Sequence, residues 1–486
     1  MVWGFHAEST TGQYRENFCE WFKTHLDPSR LSRHKLLDPS DETTYDDILR
    51  WYRDFFAVLY SHIKQKLASE MLGTDWVRAR IEYLFSVPTT WSPHIVEVFR
   101  EIIMQAGFSD TPSGSHTIAI SMTEPEAAAV YTSASAPGIF RDGEILVVCD
   151  AGGGTTDISA LQVASNSSTT VSLNQLRQVD VVNGENIGSA AIDHSFEQLV
   201  LGRLQSTEGI AKSGENFGDI AWQMTRSSHF QNTKCEHGAL DNSPRFAIPV
   251  ALSDPRCVSA RAGIRDGEMH FDKMELQLLF DKQIEKLFKL IDRQITALAS
   301  KSPSVAADHL ILSGGLGQSP YVQQRLQERY GDESHTSTKG HGMQVHVAPE
   351  PQLAVCKGLV LDRLREIRAG QSVLGWRCCR ASYGLVCKEL YNVEDPNHIG
   401  CKTQRDPKDK KLYVQDCIDW FVTKVSGHLF FCFSNISSQK NRVLPWQLTN
   451  LSCTILSARS AQMIRKELFR QRSLCLTKKP NLCLTN

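Results

Sequence analysis

The chain has 486 residues, 41% of them apolar, and a formal net charge of −1. That length holds two or three domains or one large two-lobed enzyme, with enough apolar material for a real core. Near neutrality argues against a surface built for nucleic acid or an anionic membrane, no run of eighteen apolar residues marks a membrane span, and Met1 to Glu8 has neither the basic start nor the apolar segment of a signal peptide.

Residues 16–26 and 45–67 space aromatic and aliphatic residues at three and four, with charges between, which predicts helices. Asp27-Pro28 and Asp38-Pro39 read as breaks. Ile48, Trp51, Phe55, Val58 and Leu59 mark the core-facing stripe of the second helix. Lys23, beside Trp21 and Phe22, reads as a surface lysine with its stem along the apolar face. Residues 81–88 read as a strand closing on Pro88, and Thr89-Thr90-Trp91-Ser92-Pro93 as a turn. Ser92 is placed to cap and Pro93 to open an amphipathic helix that stops at Gly107. Residues 118–123 predict a strand, and Pro125 opens a further helix with Glu124 in its N-cap region, where negative charge is favoured. Ala127, Ala128 and Ala129 would let a second helix approach closely.

Ile145 to Cys149 is a short β-branched apolar run, as a buried strand should be. It leads into Asp150, Gly152, Gly153, Gly154, Thr155, Thr156 and Asp157, then a second strand to Val163. Three glycines let backbone N–H groups crowd onto a polyanion without a Cβ clash. Asp150 and Asp157 are acceptor-only groups suited to a hydrated Mg²⁺, and the Thr155 and Thr156 hydroxyls can reach a terminal phosphate or its attacking water. A plain glycine-rich hairpin tip is the competing reading. No Gly-x-x-x-x-Gly-Lys loop and no Gly-x-Gly-x-x-Gly occurs in the chain. Residues 174–182 then read as strand, Asn183-Gly184-Glu185-Asn186 as the turn into a helix, and Lys234 as a surface residue. Residues 267–298 predict one long helix with Met274, Leu278, Ile284, Leu287, Leu290, Ile291 and Ile295 as its apolar stripe. A buried strand over 309–313 ends on Gly314, Gly315 and Gly317, and Ser319-Pro320 opens the next helix. Those glycines let the backbone lie flat against a purine and ribose. A last strand and helix are expected over 345–364.

These three segments, in this order, resemble the actin-like ATPase superfamily, most closely the heat shock protein 70 family, over residues 3–365. Its second phosphate hairpin is Asp-x-Gly-Gly-Gly-Thr-x-Asp. The resemblance implies an α/β, two-lobed, actin-like (ribonuclease H-like) fold, with the first lobe mostly residues 1–145 and the second mostly 146–350. ATP or ADP with Mg²⁺ would lie between the lobes. Asp150, Thr155, Lys23 and Glu124 take the catalytic positions, with Asp150 and, through water, Glu124 at the metal. Gly152, Gly153, Gly154, Thr156 and Asp157 hold phosphates. Gly184 and Glu185 match a phosphate-contacting turn in which Asn186 replaces an acid, Lys234 matches a lysine flanking adenine and ribose, and Gly314, Gly315 and Gly317 form the adenosine loop. Leu316 stands where a serine that meets the base is common.

The resemblance to the chaperone fades near residue 366. Residues 366–424 predict a small β-rich extension like that of divergent fungal-type members, and 425–486, with nine Lys or Arg against one acid, a poorly packed basic tail. Cys378-Cys379, Cys387 and Cys401 lack Cys-x-x-Cys spacing, so reduced thiols of a cytoplasmic protein are expected rather than a zinc site. The family's first phosphate hairpin has no counterpart, and Met1-Val-Trp-Gly4-Phe5 matches a later strand, so the first lobe is expected to be incomplete and the chain N-terminally truncated. The expected function is an ATP-binding, weakly hydrolysing, chaperone-type switch with nucleotide and unfolded or partner proteins as ligands, but neither nucleic acid nor membrane. A nucleotide-binding-deficient scaffold and a sugar-kinase-type phosphotransferase are the alternatives.

Overall fold

The computed structural model describes residues 18–422, apart from residues 21, 77, 137, 181 and 255 and the segments 38–40, 71–75, 110–114, 165–174, 208–214, 240–242, 302–305, 332–341 and 379–382. The strand match at Met1 to Phe5 and the tail expected over 425–486 lie outside the described residues.

An N-terminal block comes first. It comprises α1 (Phe22–His25), α2 (Pro28–Leu37), α3 (Tyr45–Glu70), β1 (Ile81–Val87), α4 (Pro93–Ile103), a π-turn (Met104–Phe108) and β2 (His116–Thr123). Asp27-Pro28 breaks the chain between α1 and α2 as expected, and it also starts the second helix, whereas Asp38-Pro39 lies outside the described residues. Asp27 Oδ1 accepts from Ser29 N at 2.9 Å, and proline at the first helical position loses no hydrogen bond. Ser92 caps α4 through Ile95 N as its sequence suggests, and Gly107 ends the π-turn at φ 102°. β1 and β2 pair in parallel as a two-stranded sheet. Phe56, Tyr60, Phe85, Phe99 and Phe108 meet edge to face or tilted around it. The helix α5 (Glu124–Ser135) then runs out of β2. Its N-cap is Thr123, and Glu126 closes a capping box by accepting from Thr123 N at 2.8 Å, so Glu124 is the first helical residue and not the cap.

The central block follows. It contains β3 (Ile145–Ala151), β4 (Thr156–Ala164), β5 (Gln175–Gln178), β6 (Asn183–Glu185), α6 (Ser189–Gln205), α7 (Phe217–Arg226), α8 (Ser228–Glu236), β7 (Arg245–Pro249), β8 (Ile264–Arg265), β9 (Glu268–Asp272), α9 (Lys273–Lys301), β10 (His309–Ser313), α10 (Gly314–Gly317), α11 (Pro320–Tyr330), β11 (Gln344–Val347), α12 (Ala354–Ala369) and β12 (Leu374–Trp376). The main sheet has the order β11-β10-β3-β4-β5-β12, with β6 beside the start of β4. β3 runs antiparallel to β4 and parallel to β10. All seven residues of β3 are buried, because both faces of the sheet are covered. Val147, Cys149 and Ala151 point into a core shared with α6, α9 and α11. Leu146 and Val148 point into one shared with α5 and α12. A strand buried on both sides reads as a continuous apolar run, which is why no alternation shows in 145–149. Ala127, Ala128 and Ala129 are fully buried in that second core.

Two expectations need correcting. The helix placed over 267–298 begins at Lys273, because Glu268–Asp272 pairs with β7 and β8 as a small antiparallel sheet. Its stripe also shifts. Met274 and Leu278 are 69% and 60% exposed, whereas Leu276, Leu279 and Phe280 turn inward. The period was right and the phase of its first two turns was wrong. Residues after β12 form a separate three-stranded antiparallel sheet of β13 (Tyr383–Leu390), β14 (Thr403–Arg405) and β15 (Leu412–Val422), in the order β13-β15-β14.

Candidate functional site

The β3–β4 hairpin places Asp150 opposite Asp157 and Ala151 opposite Thr156. Gly152 N donates to Thr155 O at 2.9 Å and closes the tip. α6 is anchored on the same tip: Ala190 N donates to Gly153 O at 2.9 Å and Ser189 N to Gly152 O at 3.3 Å. The carbonyls of the tip are therefore spent holding the helix. The amides of Gly153, Gly154 and Thr155 donate to no acceptor among the described residues. A row of free amides in a glycine turn is an anion-binding concavity.

The second glycine turn lies next to the first. β10 pairs with β3 so that Ser313 stands opposite Asp150, and the chain leaves both strands at the same edge of the sheet. Gly314 takes φ +81°, and a Cβ there would strike the backbone of Ala151 and come within 2.8 Å of Asp150 Oδ1. Only glycine fits. Gly315 has open space around it. Gly317 and Leu316 are buried in α10, and Leu316 packs into the core beneath.

Four ionisable groups gather at this edge. Asp150 is 6% exposed, and its Oδ1 accepts from Ser313 Oγ at 2.6 Å. No described residue donates to Oδ2. Burial is the main reason its pKa rises, the charge of Glu124 adds to it, and the Ser313 hydrogen bond works against it; the result is about 7. Asp157 is fully buried. Its Oδ1 accepts from Thr89 N at 2.9 Å and from the Thr89 hydroxyl, and its Oδ2 accepts from Thr155 Oγ1 at 3.1 Å. Burial and then Glu124 still hold its pKa above the ordinary carboxylate value. Lys23 Nζ donates to Glu124 Oε1 at 2.8 Å, bridging α1 and the start of α5. Burial of the ammonium opposes its charge, but Glu124, with Asp157 and Asp150 behind it, outweighs that and raises its pKa. Lys23 lies at the surface as expected, its side chain 53% exposed, and its ammonium is at the same time the cation beside the acidic cluster.

The cluster fits a hydrated divalent cation. Buried carboxylates held above their ordinary pKa gain from a positive charge, and Asp150 Oδ2 is the acceptor left over. No three His, Cys, Asp or Glu side chains among the described residues converge tightly enough to chelate a bare ion, so water would supply most of its coordination.

The remaining candidates stand apart from the free amides. Thr156 is fully buried and donates to Ile187 O at 2.8 Å, which fixes the turn into α6. Gly184, on β6, pairs with Asp157. Glu185 is ion-paired with Arg293 of α9. Lys234, read from composition as a surface residue, is 8% exposed and donates to Asp193 Oδ1 at 2.6 Å, because α8 packs its face against α6. A cavity of about 120 Å³ lined by Ala164, Gln175, Leu176, Arg177 and Gly375 lies at the other end of β4. It meets none of these groups.

Two residues that sequence reasoning passed over contribute directly. Thr89 was read as turn and Ser313 as strand, yet each donates a hydroxyl to one of the two aspartates. The available signal was position. One hydroxyl immediately follows the strand-ending proline, and the other immediately precedes the paired glycines.

No family model matches the chain. Heat shock 70 kDa protein 12A of Mus musculus is 21% identical over 380 residues, covering 63% of this chain and 52% of that protein. The Homo sapiens protein of the same name matches to the same extent. Heat shock 70 kDa protein 12B of Homo sapiens is 26% identical over 233 residues, 46% of this chain and 32% of that protein. The chain is distantly related to these heat shock 70 kDa proteins, and it spans about half the length of the 12A relatives it matches. Among the described residues no helix is long and apolar enough to cross a membrane.

Proposed function

We propose that the chain is a nucleotide-driven switch of the heat shock protein 70 type, an actin-like, two-lobed ATPase that binds ATP with Mg²⁺ between its N-terminal block (the first lobe) and its central block (the second). The observation that carries this reading is the juxtaposition of two glycine turns at the ends of neighbouring strands β3 and β10. The Gly153, Gly154 and Thr155 amides would take the phosphates, and the Gly314–Gly317 turn the adenosine end. Asp150 and, through water, Glu124 would hold Mg²⁺, which when bound neutralises charge on the phosphates. Thr155 and Asp150 would orient the attacking water, and Lys23 would meet the terminal phosphate. Gly152 and Asp157 shape the tip. Thr156, Gly184, Glu185 and Lys234 brace the cradle through Ile187, Asp157, Arg293 and Asp193. Distant relationship to the heat shock 70 kDa proteins supports the same reading. Lobe rotation would then be the output, read by partner or unfolded proteins in the cytoplasm.

A second reading, nucleotide binding without turnover, is favoured by the Lys23–Glu124 ion pair. The lysine that would meet the terminal phosphate and the glutamate that would hold Mg²⁺ through water are engaged with each other. Steady-state ATP turnover with Mg²⁺, with and without added sugars, separates the classes. Slow turnover unaffected by sugars fits the switch, and sugar-dependent turnover fits a phosphotransferase. Calorimetric titration with ATP and Mg²⁺ separates both from a scaffold, which would give no binding heat.

A further inference from the structure

We infer that Thr89 is a positioning residue that latches the two lobes together, so that the phosphate cradle is held in shape only while the lobes are closed. This rests on the nucleotide-binding reading above and adds its regulation. Thr89 belongs to the turn between β1 and α4 and is 9% exposed. Its amide and its hydroxyl both donate to Oδ1 of Asp157, 68 residues away on the other block. The other carboxylate oxygen takes the Thr155 hydroxyl at the hairpin tip. One carboxylate therefore ties the first lobe to the loop that carries the free amides. Charge-assisted bonds of this kind, shielded from water, are the strong ones.

The close approach is built in by a third element. Gly184 of β6 lies against both partners, and a Cβ there would come within 2.6 Å of Thr89 Oγ1 and 2.8 Å of Thr90 Cγ2 and would strike Asp157 Oδ1. This accounts for a glycine at 184 without any phosphate contact. Nearby contacts cross the same boundary. A Cβ at Gly154 would meet the Thr24 methyl at 3.0 Å, and Arg30 donates to Asn186. Opening the lobes must break the Thr89 pair, which among these contacts is the one hydrogen-bonded to the hairpin.

The test uses the full chain as wild type, Thr89→Val, Thr89→Ser and Gly184→Ala. ATP affinity with Mg²⁺ is measured by calorimetry, and amide hydrogen exchange over 150–157 is followed without nucleotide. Valine keeps the shape and removes the hydroxyl, so ATP should bind about tenfold or more weakly, as for the loss of a hydrogen bond to a charged group. Exchange at the hairpin should quicken. Serine should restore both to near wild type, and alanine at 184 should act in the same direction as valine at 89. Wild-type affinity and exchange in Thr89→Val would overturn the latch. If the wild type binds no ATP, the nucleotide reading fails, and hairpin exchange alone decides the latch. If Thr89→Val does not fold, the serine and Gly184→Ala proteins carry the decision, and normal affinity and exchange in Gly184→Ala would refute it.

Discussion

The two blocks that meet at the acidic cluster are built to different standards. Among the described residues, the core under the main sheet holds 40 buried apolar residues with only 8 half-buried ones against it. Among the described residues of the N-terminal block, the core holds 13 buried residues and 15 that are half-buried, among them Phe56, Tyr60, Phe85 and Ile120. The first resembles a sheet closed on both faces, and the second a two-stranded sheet only partly wrapped by helices. The difference assigns roles. The well-packed side carries the glycine turns and fixes the cradle, while the looser side supplies Lys23 and Thr89, the groups that must move if the lobes rotate. Local stability should be graded in the same order.

The largest effect should come from the packed side. Phe196 and Phe230 stack with ring centroids 3.8 Å apart in its core, and Phe196→Ala should lower unfolding stability by ~3–5 kcal/mol in a denaturant titration. Phe56→Ala, in the half-open core, should cost only ~1–2 kcal/mol because water already reaches the site. Equal losses would erase the contrast between the blocks.

Asp150→Asn should rank next and run the other way. The native Asp150 pKa lies at about 7, above its ordinary 3.8, mainly through burial. Between those values the folded state binds more protons than the unfolded one, so this group's contribution falls as pH rises from about 4 to about 7 and stays low above. The asparagine variant should therefore be more stable than wild type at pH 8, by ~2–4 kcal/mol, and nearly matched at pH 4, while losing affinity for ATP with Mg²⁺. Melting curves at the two pH values check the sign, and a variant less stable at pH 8 would contradict it.

Limited proteolysis sharpens the contrast further. Trypsin should cut within 18–123 before it cuts at Arg203, Arg293 or Arg325 in the helices of the central block, since the looser block opens at lower cost. The smallest effect belongs to Lys23→Met. An ion pair with its lysine side chain 53% exposed contributes under ~1 kcal/mol, so melting should barely shift. A change of several degrees would mean that Lys23 carries structure as well as charge.

Much of this arrangement was legible in the chain itself. The hairpin 145–163, the Gly314 turn and the Ser319-Pro320 helix start all followed from runs of glycine, proline and β-branched residues whose local conformations have few alternatives. What escaped was set by distant packing. The phase of α9 depends on which side the main sheet covers, and Met274 and Leu278 carry no mark of it. The strand over 268–272 exists because β7 pairs with it. Lys234 looks like any surface lysine until Asp193 arrives from another helix. The hydroxyls of Thr89 and Ser313 meet their aspartates across 68 and 163 residues, a distance that no local pattern spans.

The central claim is that one nucleotide lies across both glycine turns. Hydrogen exchange measured with and without ATP and Mg²⁺ tests it most directly. The account predicts that peptides covering 150–157 and 311–318 are protected together, at the same nucleotide concentration, and that Gly153→Val abolishes both. Protection at a single turn, or at neither, would contradict it.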